Sequence, residues 1–150
     1  MGKKHVVQKT GDEILAEGSK VEKALLQTAP SLRKKTVSRA IIFIISSYNN
    51  TQVVLTDPQG NVLTSQTAGR VGFKGSKKGT SFAASKVAQA VGAAVEVLKV
   101  KEVEVIIKGI GAGREAALRS LANQGVNIVR VQDRTPVPHG GCRPRKIRRP

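Results

Sequence analysis

Between residues 40 and 68, short segments rich in β-branched and apolar residues alternate with turn chemistry, and this rhythm constrains the fold more than any other feature of the chain. Ala40 to Ser46 (AIIFIIS) suits a buried strand. Tyr48, Asn49, Asn50 and Thr51 read as a turn, because Asn tolerates left-handed backbone and bonds its own main chain. Gln52 to Thr56 is a second strand. Asp57-Pro58-Gln59-Gly60 puts Pro at the second and Gly at the fourth position of a type I turn, and Val62 to Ala68 is a third strand. The three make an antiparallel meander.

Gly69 to Thr80 (GRVGFKGSKKGT) is too long and glycine-rich for a mere connector. Thr80 or Ser81 can cap the next helix, in which Phe82, Val87, Val91, Ala94, Val95 and Leu98 recur at helical spacing. Its alanines allow close packing on a sheet. Glu102 to Lys108 alternates as a strand, Gly109 to Gly113 is a loop, and Arg114 to Gln124 is a helix ended by Gly125. Val126 to Gln132 is the last strand. This order predicts an α/β fold, a mixed five-stranded sheet with two main helices. A hydrophobic fraction of 39% over 150 residues supplies one core, so the chain divides into an N-terminal extension (1 to 35), an α/β core (36 to 133) and an arm (134 to 150). In the extension, Ile14, Leu15, Val21, Leu25 and Leu26 trace a weak amphipathic pattern interrupted by Gly18. A short helix and a mostly disordered leader are both open there. It lacks the apolar core of a signal peptide and holds more acid than a transit peptide.

Charge narrows the function. The chain carries 26 Lys and Arg against 10 Asp and Glu, a net charge of +16, with a pI near 10.7. Such an excess repels itself unless a polyanion neutralises it. Asp12, Glu13, Glu17 and Glu22 are matched by Lys3, Lys4, Lys9 and Lys20, so the excess lies in residues 23 to 150. Two long stretches, Lys23 to Thr56 and Pro58 to Val95, hold no acid. After Asp133 come Arg134, Arg143, Arg145, Lys146, Arg148 and Arg149, again without acid, with prolines at 136, 138, 144 and 150. Proline at that density excludes a regular helix, so this is an extended basic arm. Scattered basic runs are usually solvated surface; three of them with a pI above about 9 are the footprint of a nucleic-acid binder. No apolar run is long enough to span a membrane. A lone cysteine, Cys142, makes no intrachain disulfide and fits a reducing compartment.

Candidate chemistry is sparse. Gly109-Ile110-Gly111-Ala112-Gly113-Arg114 follows a strand and opens a helix, a setting for anion binding. A dinucleotide fingerprint needs glycine at the sixth position, where Arg114 stands. A nucleic-acid phosphate, a purely structural turn and, least well, a nucleotide cofactor remain as readings. Lys74, Lys77 and Lys78 around Phe73 offer point charges on a backbone free to approach phosphates. His139 and Cys142 are spaced like half a metal site without a second half, so no metal and no cofactor are expected. Asp57, Glu104 and Asp133 sit at scattered strand positions, and the first strand holds no carboxylate, so no two-metal nuclease centre is expected. Aromatics make up 3% of the chain, too few for a base-stacking platform. Backbone and shape recognition of folded RNA remains.

Several motifs, taken in order, carry a resemblance. They are Tyr48-Asn49-Asn50-Thr51, Thr56-Asp57-Pro58-Gln59-Gly60-Asn61, Ala68-Gly69 leading to Gly72-Phe73-Lys74-Gly75, Thr80 with Phe82-Ala83-Ala84, Lys108 to Glu115, and Asp133-Arg134-Thr135-Pro136-Val137-Pro138-His139 into Gly141-Cys142-Arg143-Pro144. From about residue 35 to 150 the chain resembles the bacterial-type small-subunit ribosomal protein eleven family. The resemblance implies a ribonuclease-H-like core without catalytic carboxylates, seated in the platform of the small ribosomal subunit. It implies binding of small-subunit ribosomal RNA, with the basic arm lying in RNA, near messenger RNA at the exit and Shine-Dalgarno cleft. Implied neighbours are ribosomal proteins seven, eighteen and twenty-one, with six nearby; a membrane and a second copy of this chain are not. The family's arm usually reads His-Asn-Gly-Cys, whereas position 140 here is Gly140, which removes an isoaspartate-prone Asn-Gly pair. Arg145 replaces a usual second proline. The extension has no clear counterpart.

The expected function is therefore non-enzymatic: a structural constituent of the bacterial small subunit, in the cytoplasm, with a mitochondrial address disfavoured by the acidic start. RNA contacts are expected from Asn49, Asn50 and Thr51, from Arg70, Lys74, Lys77, Lys78 and Thr80, from Arg114, and from His139, Arg143, Arg145, Lys146, Arg148 and Arg149. The alternatives are a ribonuclease-H-like nuclease and an RNA-binding protein outside the ribosome.

Overall fold

Alternation along the first apolar run decides which side of the sheet is covered. In β1 (Arg39–Ser46) the side chains of Ala40, Ile42, Ile44 and Ser46 are buried and the intervening ones are not, as a pleated strand with one packed face requires. The structure is a computed structural model describing residues 37 to 147. The expectations for residues 1 to 35, and for Arg148 and Arg149, lie outside the described residues.

β1 pairs antiparallel with β2 (Thr51–Thr56), which pairs antiparallel with β3 (Val62–Thr67). The hairpin between them is closed by Asp57. Its carbonyl accepts from the Gly60 amide at 3.1 Å, and its carboxylate accepts from the Gln59 and Asn61 amides and from Asn61 Nδ2. These bonds, the Asn61 side chain foremost, hold the Asp57 carboxyl below its ordinary pKa. A short 3-10 turn (Gly75–Gly79) leads into α1 (Ser81–Val97), then β4 (Glu102–Lys108), α2 (Gly113–Asn123) and β5 (Ile128–Asp133). β4 runs parallel to β1 and β5 parallel to β4, so the sheet is mixed, in the order β3-β2-β1-β4-β5. This is the mixed five-stranded, two-helix architecture that the order of segments in the sequence predicts.

Both helices cover the same face. Ile42, Ile44, Val53, Leu55, Val103, Val105 and Ile107 from the strands meet Ala83, Ala84, Val87, Ala88, Val91 and Val95 from α1 and Ala117 and Leu121 from α2 in one core. Interiors pack at crystal-like density, so the small residues on α1 set how closely it lies on the sheet and on α2. No side chain from 136 to 147 is buried, and that segment carries no helix or strand.

Several boundaries differ from the sequence reading. β2 begins at Thr51 rather than Gln52, α2 spans Gly113–Asn123, and β5 spans Ile128–Asp133 rather than 126 to 132. Phe82, counted above as a core position, is 61% exposed. The buried stripe of α1 runs through Ala83, Ala84, Val87, Ala88 and Val91, and Phe82 lies off its edge.

Candidate nucleic-acid interface

The turn after β1 is built to be narrow. Asn50 turns its carbonyl back to accept from the Ser47 amide at 2.9 Å and from Ser47 Oγ at 3.1 Å, which closes residues 47 to 50 and leaves Thr51 as the first paired residue, opposite Ser46. Tyr48 and Asn49 are exposed and Asn50 is half-buried. Thr51 does not reach the surface: its side chain is fully buried, with its hydroxyl 3.3 Å from Ser46 Oγ. The expected contact there is corrected to a structural role.

Two glycine-bearing loops hold this turn between them. A Cβ on Gly79, at the end of the lysine loop, would collide with the Tyr48 carbonyl oxygen, and one on Gly111, in the loop before α2, with the Ser47 carbonyl oxygen. Ser81 Oγ donates to the Ala112 carbonyl at 3.2 Å, tying the start of α1 to the start of α2. The turn, the lysine loop and the Gly109 to Gly113 loop are therefore one surface.

In the lysine loop, Lys74 and Lys77 are exposed and Lys78 is half-buried. Arg70 is exposed, with Nη1 3.4 Å from the Ser65 carbonyl. Thr80 is the N-cap of α1. Its hydroxyl accepts from the Ala83 amide at 3.2 Å and donates to the Lys77 carbonyl at 2.8 Å, so it stitches the loop to the helix. Phe82 stands on Phe73 edge to face, centroids 5.9 Å apart, and Lys86 Nζ lies 5.8 Å from its ring centre.

Arg114 is held by partners within the protein. Its Nη1 donates to the Gly109 carbonyl at 2.6 Å, and its Nη2 forms a short ion pair with Asp133 Oδ2. Asp133 Oδ1 accepts from the Thr135 amide at 2.9 Å and from its hydroxyl at 2.5 Å, and Thr135 Oγ1 accepts from the Gly109 amide at 3.2 Å. The Thr135 hydroxyl, then its amide, then Arg114 hold the Asp133 carboxyl down to about 2. The Arg134 amide donates to the Ile107 carbonyl at 2.9 Å. Beyond this knot, His139, Arg143, Arg145 and Lys146 are exposed along the arm.

The strand directions put all of these features at one end of the molecule. The C-terminal ends of β1, β4 and β5, where the parallel strands finish, lie beside the N-terminal end of β2. Both helices begin there, and each contributes about half a positive charge from its amide dipoles. Arg70, Lys74, Lys77, Lys78, Lys108, Arg114, Arg134 and the arm crowd this end against Glu115 and Asp133. At the far end, among the described residues, Arg39, Lys99 and Lys101 are balanced by Asp57, Glu96 and Glu102, with Arg39 Nε bonded to Glu102 at 2.7 Å. The sequence reading missed Lys108, whose signal is its place as the last residue of an alternating strand; its Nζ lies 5.8 Å from the Phe43 ring centre. It also missed Thr135, signalled by an Asp two residues before a Thr, the pattern of a side-chain-closed turn.

A family model described as Ribosomal protein S11 matches residues 40–149. The chain belongs to the S11 family of ribosomal proteins. Small ribosomal subunit protein uS11 of Janthinobacterium sp. (strain Marseille) is 51% identical over 116 residues, covering 77% of this chain and 87% of that one. The protein of the same name from Chlamydia trachomatis serovar A is 48% identical over 115 residues, 77% of this chain and 87% of that one. That of Neisseria meningitidis serogroup C is 48% identical over 129 residues, covering 84% of this chain and 98% of that one. The last match covers more than residues 35 to 150 can supply, so part of the N-terminal segment has a counterpart among S11 relatives after all. The S11 family is not enzymatic, which removes the nuclease alternative.

Proposed function

We propose that this S11-family chain is a structural constituent of the small ribosomal subunit that binds small-subunit ribosomal RNA through the end of the sheet where β1, β4 and β5 finish. The reading rests on one observation: the narrow turn, the lysine loop, two helix starts and the root of the basic arm form a single electropositive end, whereas among the described residues the opposite end is charge-balanced. The groups fit phosphates. Exposed lysines supply point charges, and helix starts supply amides. The arm, with His139, Arg143, Arg145, Lys146, Arg148 and Arg149, lies in RNA as a unit distinct from the core. In the platform this end faces RNA near messenger RNA at the exit and Shine-Dalgarno cleft, with ribosomal proteins seven, eighteen and twenty-one as neighbours and six nearby. The protein works in the cytoplasm of a bacterium.

The test is the salt dependence of the full chain's affinity for a small-subunit ribosomal RNA fragment. Each neutralised phosphate releases counterions and contributes about −0.7 to −0.9 to the log-log slope, so six or more contacts give a slope steeper than about −3. A shallower slope contradicts the reading.

A further inference from the structure

The cluster at the start of the arm has a chemistry its surroundings do not explain. An acid, Asp133, sits on a surface otherwise loaded with cations, where electrostatics alone would make it a hindrance to a polyanion. Its Arg114 partner is 29% exposed and Asp133 itself 51% exposed. Pairs that wet contribute little to stability, so the pair is poorly explained as a prop for the core. What the cluster does fix is geometry. Arg114 reaches from α2 to both the Gly109 carbonyl and Asp133, Asp133 holds the Thr135 amide and hydroxyl, and Thr135 accepts the Gly109 amide. Residues 133 to 135 are thus bound to the β4–α2 loop on two sides. Pro136 then confines Thr135 to extended backbone, and Pro136 and Pro138 fix two of the next three φ angles. A direction set at Thr135 is carried stiffly as far as Pro138, two residues before Gly140, where φ is +66°.

We propose that Arg114, Asp133 and Thr135 form a clasp that aims the basic arm at the RNA, so that Asp133 strengthens RNA binding in spite of its charge. These are positioning residues: they act through Arg143, Arg145, Lys146, Arg148 and Arg149. An arm already pointing along its bound path loses less freedom on binding and presents its cations at a higher effective concentration. The inference rests on the RNA-binding reading above, but its mechanical half does not need RNA.

The experiment compares Asp133→Asn and Thr135→Val with the parent in two readouts. The first uses full-length protein with Cys142→Ser and Val137→Cys, carrying a nitroxide at 137, without RNA. Both substitutions are expected to raise the label's mobility. The second measures affinity for the ribosomal RNA fragment. Asp133→Asn removes a negative charge, so simple electrostatics predicts tighter binding; the clasp predicts binding weaker by about tenfold, part of the roughly 10²–10⁴-fold that tethering a second contact can supply. The loss is expected to vanish in full-length chains with Arg143, Arg145, Lys146, Arg148 and Arg149 all changed to Gln. Thr135→Val, which changes no charge, separates geometry from electrostatics, and unfolding midpoints check that both variants remain folded. Unchanged label mobility, or equal or tighter RNA binding by the full-length Asp133→Asn protein, overturns the clasp. A parent that fails to bind RNA overturns the proposed function instead, and the label still decides whether the clasp holds the arm.

Discussion

Asp133 shows how one side chain can belong to the charge and the geometry of a surface at once. Because its carboxyl is held at about 2 by the Thr135 hydroxyl and amide and by Arg114, the ionised form is the one the fold favours. A depressed folded-state pKa contributes stability that is present above the unfolded value, near 3.9 for Asp, and is lost as pH falls through the folded value. The expected outcome is a carboxyl carbon shift at Asp133 that titrates near 2, with the Thr135 amide resonance moving along the same curve. A midpoint near 4 would show that these bonds do not persist in solution. Thr51 teaches the complementary lesson. Its neighbours Asn49 and Asn50 mark a turn in the sequence, but only the register with Ser46 reveals that the turn closes one residue early and points Thr51 into the core.

At the scale of elements, the interface depends on three loops lying against one another, and the contacts between them are backbone contacts. Gly79 stands where any Cβ would strike the Tyr48 carbonyl oxygen. Neither partner is the flexible end of a side chain, so the strain cannot be relieved by a rotamer change. Gly79→Ala is expected to lower stability by about 1–3 kcal/mol, the usual cost of overpacking, and to weaken RNA binding by pushing the lysine loop off the turn. Urea unfolding of the variant checks this; an unchanged midpoint would mean that the two loops are not in contact. The same logic explains which elements could be read beforehand. β4, whose Glu-Val-Glu-Val start alternates before two further buried apolar residues, and α1, with Thr80 as cap and a buried stripe at helical spacing, match their expected positions because local pattern and packing agree. Phe82 was misplaced because periodicity reports a stripe but not its edges. The pairing of Arg114 with Asp133 was not legible because the two lie on different elements, α2 and β5, nineteen residues apart.

For the whole molecule, the sequence carried the charge excess, the one-core α/β architecture and the family motifs. It did not carry the fact that the early turn, the lysine loop and the arm root converge. Convergence follows from the sheet order, in which the crossovers through α1 and α2 bring the ends of β4 and β5 to the side where β1 ends and β2 begins. Net charge points to a polyanion as partner; topology gathers the cations at one end, the end proposed to bind it. Lysine acetylation of the full chain, read by mass spectrometry with and without the small-subunit ribosomal RNA fragment, tests this most directly. The account predicts protection of Lys74, Lys77, Lys78, Lys108 and Lys146, with Lys99 and Lys101 at the opposite end modified equally in both states. Protection of Lys99 and Lys101 with Lys74, Lys77 and Lys78 left reactive would contradict it.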